Sequence, residues 1–453
     1  MRAGMGMARV VAVLTSGGAA PDIPGAGSGI APPGAGSLLM PILLRVDELE
    51  ANMRLARPIT LGQRVLLPAG KVLNGADVDA LRARLPRQMV SIADPMLDEM
   101  VRFADDSHDR AVSRAARRRL FHTLAGVRKK IAGQMSLRHM DFRGVHEAVA
   151  EVVEYIRDNP VVAAILSEHR DPTHYLTEHP ANVFYLSLVL GNAVRGYVQR
   201  ERSRRATRFC FEPNATLSLT PLALAALFQD ISLWPLEELY RTSAPLTGPQ
   251  RELVRRHPLT SSRVLPDDIP ERARVAVEHH HESFDGSGYP RGLADEQIDL
   301  FGRILRICDA FDAATAKTVY AQARSAARAL GEMVRGPYAR NYDPVLLKVF
   351  SNIVQPYPIG AKLRLNCGRY GVVVRYGEVD PFLPVIVVAF DADGSRLGPG
   401  ATTGPYPLHE HREIVIQSFG DEDLSDLYST AAAADPEPVV ISEFGNLFES
   451  SYP

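Results

Sequence analysis

The stretch EHHHESFDGSGYP, residues 278–290, sets three consecutive histidines against an acidic, glycine-rich turn that closes on Gly-Tyr-Pro. The chain has 13 histidines in 453 residues, so three in a row call for a reason. Histidine is the commonest metal ligand and the side chain that titrates nearest neutral pH. The plainer alternative is a polar helix end facing water. The segment leading into the triplet, IPERARVAVEHHH (269–281), has apolar residues at helical spacing, which puts the histidines at the end of a half-buried helix.

Other polar residues stand at the ends of apolar segments nearby. LALAALFQDI (222–231) is apolar on nearly every face and is expected to be buried, yet it ends in Gln229-Asp230. A buried carboxylate is costly unless it is paired, hydrogen-bonded or metal-bound. RILRICDAFDAAT (303–315) places Asp309 and Asp312 on neighbouring positions of one helix face. His179 and His257 each precede a proline, which favours the first turn of a helix and so predicts both histidines at element boundaries. Imidazole with carboxylate suits iron, manganese or zinc, and a shared aspartate can hold two metals. Taken singly, each residue could equally be a cap or a satisfied core group, and spacing alone leaves both readings open.

HHESFDGSGYPRGL followed by the RILRICDAFDAAT helix resembles the HD-GYP family of bacterial cyclic di-GMP phosphodiesterases, a branch of the HD metal-dependent phosphohydrolases. The likeness runs from about residue 165 to 330 and includes EHPANVFYLSLVLGNAV, LALAALFQDI and RRHPLTSSRVLP in order. It implies a mainly α fold, a helical HD-type bundle flanked by two small β-rich modules. It implies metal ligands at His179, Asp230, His257, His280, His281 and Asp309, with catalysis resting on Asp230, His280 and His281. His279 is then an extra histidine. Gly288, Tyr289 and Pro290 match the GYP loop, which in the family borders the active site and can dock diguanylate cyclase domains. One or two divalent ions, iron or manganese, are the implied cofactor.

The family's HDxGK motif reads QDISL here, with Gln229 for the histidine, Ser232 for the glycine and Leu233 for the lysine. A neutral amide is a weaker ligand than imidazole, and leucine brings no charge to a phosphate. Thr318 stands where the family has a phosphate-binding arginine, next to Lys317, and Tyr175 where three-metal members have a glutamate. Lys317 and Arg303 are the candidate substrate-binding cations. Of the two implied metal sites, Asp230, His257, His280 and His281 are complete, whereas His179, Gln229, Asp230 and Asp309 are degenerate. The resemblance therefore implies a cyclic di-GMP phosphodiesterase with an impaired site. The other reading is a non-catalytic descendant that binds a nucleotide or a protein.

The rest of the chain sets bounds. A net charge of -2 gives no global bias toward nucleic acid or an acidic membrane. Cys210, Cys308 and Cys367 are odd in number and widely spaced, which suits a reducing cytoplasm. No apolar run approaches the roughly 18 residues that span a bilayer. Residues 1–39 are rich in Gly, Ala and Pro and are expected to be disordered. A small β-rich module is expected over 40–100, a helical linker over 101–164, and the HD-GYP-like domain over 165–352. A second β module should occupy 356–416, before an acidic, partly disordered tail over 417–453.

Overall fold

The computed structural model describes residues 41–61, 64–85, 88–93, 175–194, 218–236, 247–316, 323–377, 380–398 and 400–429, together with a few positions between 147 and 154. The expected disordered start and most of the expected helical linker lie outside the described residues.

The mainly helical expectation holds. The described helices are α1 (Gly75–Arg84), α2 (Tyr175–Ala193), α3 (Thr220–Phe228), α4 (Gly248–Arg255), α5 (His257–Val264), α6 (Glu271–His279), α7 (Leu300–Thr315), α8 (Ala326–Arg335), α9 (Pro344–Val354) and α10 (Ser425–Ser429), with short 3-10 turns after α3, α6 and α8. In α3, every residue from Leu222 to Phe228 is buried. A helix this apolar needs neighbours on all sides, and α2 and α6 supply them. Helix α7 packs on α2 and α6 in turn. Asp299 accepts the Phe301 N–H at the start of α7, and Asp343 accepts from Val345 and Leu346 at the start of α9. Such caps satisfy backbone donors that the helix itself leaves free.

His257 opens α5, as its following proline predicts, but His179 does not open α2. That helix begins at Tyr175 and carries Pro180 inside it, where the missing N–H cannot serve the carbonyl four residues back. The fold accepts that cost, and His179 gains a seat one turn into a buried helix.

The strands are β1 (Pro41–Arg45), β2 (Ile59–Leu61), β3 (Arg64–Leu67), β4 (Met89–Ala93), β5 (Lys362–Leu365), β6 (Tyr370–Arg375), β7 (Val385–Phe390), β8 (Thr403–Pro407), β9 (Ile416–Phe419) and β10 (Glu422–Asp423). Strands β1 and β4 pair antiparallel, as do β2 and β3, and the later strands make one antiparallel sheet in the order β10-β9-β5-β6-β7-β8. This sheet runs past residue 416 and is followed by α10, so ordered structure continues into the segment expected to be a tail.

Side chains alternate across a strand, and β6 uses both faces. Val372 and Val374 join Ile42, Leu44, Val90 and Ile92 in one buried cluster, while Val373 joins Tyr357, Ile416 and Leu427 in another. The early and late β segments thus share a core. Leu43 N donates to Gly360 O at 2.8 Å, and Lys362 Nζ pairs with Glu48 at 2.9 Å.

Candidate metal centre

Helices α2, α5, α6 and α7 and the turn after α3 bring His179, Asp230, His257, His280, His281 and Asp309 together. Asp230, His257, His280 and His281 offer four ligand atoms within 4.8 Å of one another, and His179, Asp230 and Asp309 form a second such group. All six implied ligands therefore converge, with Asp230 common to both groups.

The first group has a donor set that could hold a cation. His257 Nδ1 lies 2.5 Å from Val254 O and His280 Nδ1 lies 2.6 Å from Val277 O. A carbonyl only accepts, so both Nδ1 atoms carry the hydrogen. In the neutral rings both Nε2 atoms then present lone pairs, and these face each other at 2.9 Å. Asp230 Oδ1 stands 3.1 Å from His257 Nε2 and 3.8 Å from His280 Nε2. Three electron-rich atoms this close need a positive charge between them.

Burial opposes the charged form of His257, yet its bond to Asp230 raises its pKa. Burial and the neighbouring His257 push His280 down to about 4, and burial with His280 takes His281 well below its usual value. Asp230 stays ionised despite its burial, because His257 bonds to it and His179 and His280 lie close. Three imidazoles around an ionised carboxylate are a donor set that suits a divalent ion.

In the second group His179 Nε2 is 2.9 Å from Asp309 Oδ1 and 3.5 Å from Asp230 Oδ2. Its Nδ1 is 2.7 Å from Asp312 Oδ2, a carboxylate with no exposed surface. These two bonds outweigh burial and raise the His179 pKa well above the ordinary value. Gln229 is fully buried in the same group, where its Nε2 donates to Asp309 Oδ1 at 3.1 Å and its Oε1 has no partner. An orphaned buried oxygen beside two carboxylates and an imidazole fits a cation-binding wall, although an amide is a weaker donor than the ring nitrogen it replaces. Leu233 is buried in the 3-10 turn Ile231–Leu236 and brings no charge.

The residues between α6 and α7 form the rim. Tyr289 stacks on His281, with ring centroids 4.8 Å apart, and its N–H donates to His281 O. Glu282 is buried and accepts from Arg291 N at 2.7 Å and Leu293 N at 3.0 Å, so the residue after the ligand pair ties down the loop. Gly288 presses so closely on Ser283 that a Cβ there would stand 2.6 Å from the Glu282 carbonyl carbon. The extra histidine is structural. His279 Nδ1 accepts from Asp299 N at 3.1 Å, and its Cβ would lie 2.6 Å from a Cβ added to Gly302 of α7.

The HD domain family model matches residues 203–346. These residues resemble an HD domain. Its known relatives include a cyclic di-GMP phosphodiesterase of Pseudomonas aeruginosa, 38% identical over 172 residues, 37% of this chain and 41% of that protein. One from Borreliella burgdorferi is 24% identical over 31% of this chain and 37% of its own length, and one from Thermotoga maritima 25% identical over 53% and 60%. With the GYP loop, these likenesses support membership of the HD-GYP family. The chain spans from 37% to 60% of the length of these relatives.

Several expected residues fall elsewhere. Lys317 and Thr318 lie outside the described residues. Arg303, a candidate for phosphate contact, pairs with Asp343 at 2.8 Å, so its charge is already matched within the fold. Asp312 and Glu282 carry roles that the sequence did not assign. The only signal for either was a carboxylate close to implied ligands in a segment due to be buried.

Among the described residues, no helix is long and apolar enough to cross a membrane.

Proposed function

We propose that this chain is a metal-dependent phosphodiesterase of cyclic di-GMP signalling in the cytoplasm, with one strong metal site and one weak one. The observation that carries this reading is the approach of His257 Nε2 to His280 Nε2 at 2.9 Å, with both Nδ1 atoms spent on carbonyls. The relatives' activity supplies the substrate class.

His257, His280, His281 and Asp230 would hold the ion, iron or manganese by donor chemistry. When bound, a divalent ion supplies positive charge to a phosphodiester under attack. Asp230 keeps its negative charge in the buried centre and orients His257. Asp312 holds the Nδ1 hydrogen of His179 and so turns Nε2 toward Asp309. Tyr289 covers His281 and keeps water from that side of the ring. The loop that carries Gly288, Tyr289 and Pro290 would be the docking face for a diguanylate cyclase domain.

A second reading is a non-catalytic nucleotide-binding or protein-docking regulator. Gln229 favours it, because its amide occupies Asp309 where an imidazole would be a metal ligand. Losing a metal and a lysine together costs several kcal/mol of barrier, on the order of 10³-fold in rate. Turnover of cyclic di-GMP by the manganese- or iron-loaded protein, against a His280→Ala control, separates the two. Metal-dependent turnover that the control lacks supports the phosphodiesterase. Turnover no greater than the control would leave the regulator.

A further inference from the structure

Two guanidinium groups stand at the rim of the metal centre without anionic partners. Arg306 lies on α7 one turn before Asp309, a spacing that puts both on the same side of the helix. Its guanidinium sits 5.3 Å from the Tyr342 ring, and its Nε is buried with no hydrogen-bond acceptor. Arg255, at the end of α4, lies 4.9 Å over the ring of Tyr289, whose other contact is the ligand His281.

Neither arginine makes an ion pair among the described residues, although their neighbours do. Arg272 pairs with Asp299, Arg291 with Glu278 and Arg303 with Asp343. Arg303 and Arg306 both have a buried Nε without a partner, but Arg303 has its carboxylate and Arg306 does not. A half-buried cation without an acceptor is unfavourable unless something brings an anion to it. The charge of Arg306 also acts on Asp285 and Tyr289 of the loop and on Tyr342, without a hydrogen bond to any of them.

We infer that Arg306, assisted by Arg255 across Tyr289, is a phosphate clamp that fixes a phosphodiester group of the substrate at the rim of the metal centre. This rests on the phosphodiesterase reading for its substrate. A guanidinium fork matches two phosphate oxygens at once, which lysine cannot do. Burial of Arg306 strengthens that contact, whereas exposed Arg255 contributes less.

The test is calorimetric binding of cyclic di-GMP to the manganese-loaded, full-length protein and its Arg306→Gln, Arg306→Lys and Arg255→Gln variants. Manganese binding is followed in parallel by electron paramagnetic resonance. Arg306→Gln is expected to weaken nucleotide binding about tenfold or more with manganese binding unchanged, and Arg255→Gln to weaken it less. Arg306→Lys should recover part of the loss, and it carries the test alone if Arg306→Gln does not fold. Equal nucleotide binding by wild type and the Arg306 variants overturns the clamp and leaves the phosphodiesterase reading standing. If wild type binds no cyclic di-GMP, that reading falls and inorganic phosphate becomes the probe. Weaker phosphate binding by the Arg306 variants then supports the clamp, and equal or absent binding overturns it.

Discussion

His257 and His280 meet through their Nε2 atoms at 2.9 Å, and each is held by its Nδ1 to the carbonyl three residues earlier, Val254 and Val277. The same local device on two helices aims two lone pairs at one point. A divalent ion placed there should stabilise the folded protein, by about 2.7 kcal/mol at a hundredfold excess over Kd. Differential scanning fluorimetry should show melting rise on adding manganese and fall with a chelator, and His280→Ala should abolish the rise. An unchanged melting point in the wild type would remove the metal from this account.

Asp312 should act through His179. The Asp309 and Asp312 bonds hold the His179 pKa high in spite of burial. Asp312→Asn removes one of those charges, so the pKa of His179 should fall in the metal-free protein. A group with a raised folded pKa adds stability below its unfolded value of about 6.5 and loses it as pH rises through the folded value. In Asp312→Asn that contribution should shrink and vanish at lower pH. Titration of the His179 ring by NMR reads the shift directly, and an unchanged pKa would mean that Asp312 does not govern the ring.

Gln229→His should rebuild the weaker group. An imidazole at this buried position could ligate where the amide now donates to Asp309. Metal content of purified protein, measured by plasma mass spectrometry, should rise from about one ion per chain toward two. A single ion in both proteins would place the defect elsewhere, with Leu233 the next suspect.

Two glycines should resist a methyl group for steric reasons. Gly302→Ala would press on His279 Cβ and force α6 and α7 apart, for a loss of about 1–3 kcal/mol in urea unfolding. Gly288→Ala would strike the backbone of Glu282 and Ser283, which cannot swing aside, and should cost more. Because Glu282 and His281 anchor the same loop, Gly288→Ala should also weaken manganese binding. If both variants melted like wild type, this packing would be looser than described.

Much of the centre was legible in the sequence because its signals are local. His280 and His281 follow an apolar helical stripe, and Asp230 ends a segment that had to be buried. His179 was found but misplaced, since proline's preference for a first turn says nothing about a helix that tolerates it further in. His279 was set aside as an extra by the resemblance, but its own role was hidden, because it depends on Asp299 and Gly302 of the next helix. Arg303 looked available for a ligand because nothing near it in sequence announces Asp343. The shared core of the early and late strands was illegible for the same reason. Val372 and Ile92 are ordinary strand residues, and no local pattern says that they touch.

That shared core has a consequence for biosynthesis. Glu48 and Lys362 are 314 residues apart, and Ile42, Leu44 and Ile92 have no complete apolar cover until Val372, Val387 and Phe390 exist. A chain made from its N-terminus at about 5–20 residues per second must leave its first strands half-covered for tens of seconds while the helical domain is made. Strands β1 and β4 are thus made long before they finish folding, and in that interval they are the strands most in need of a chaperone.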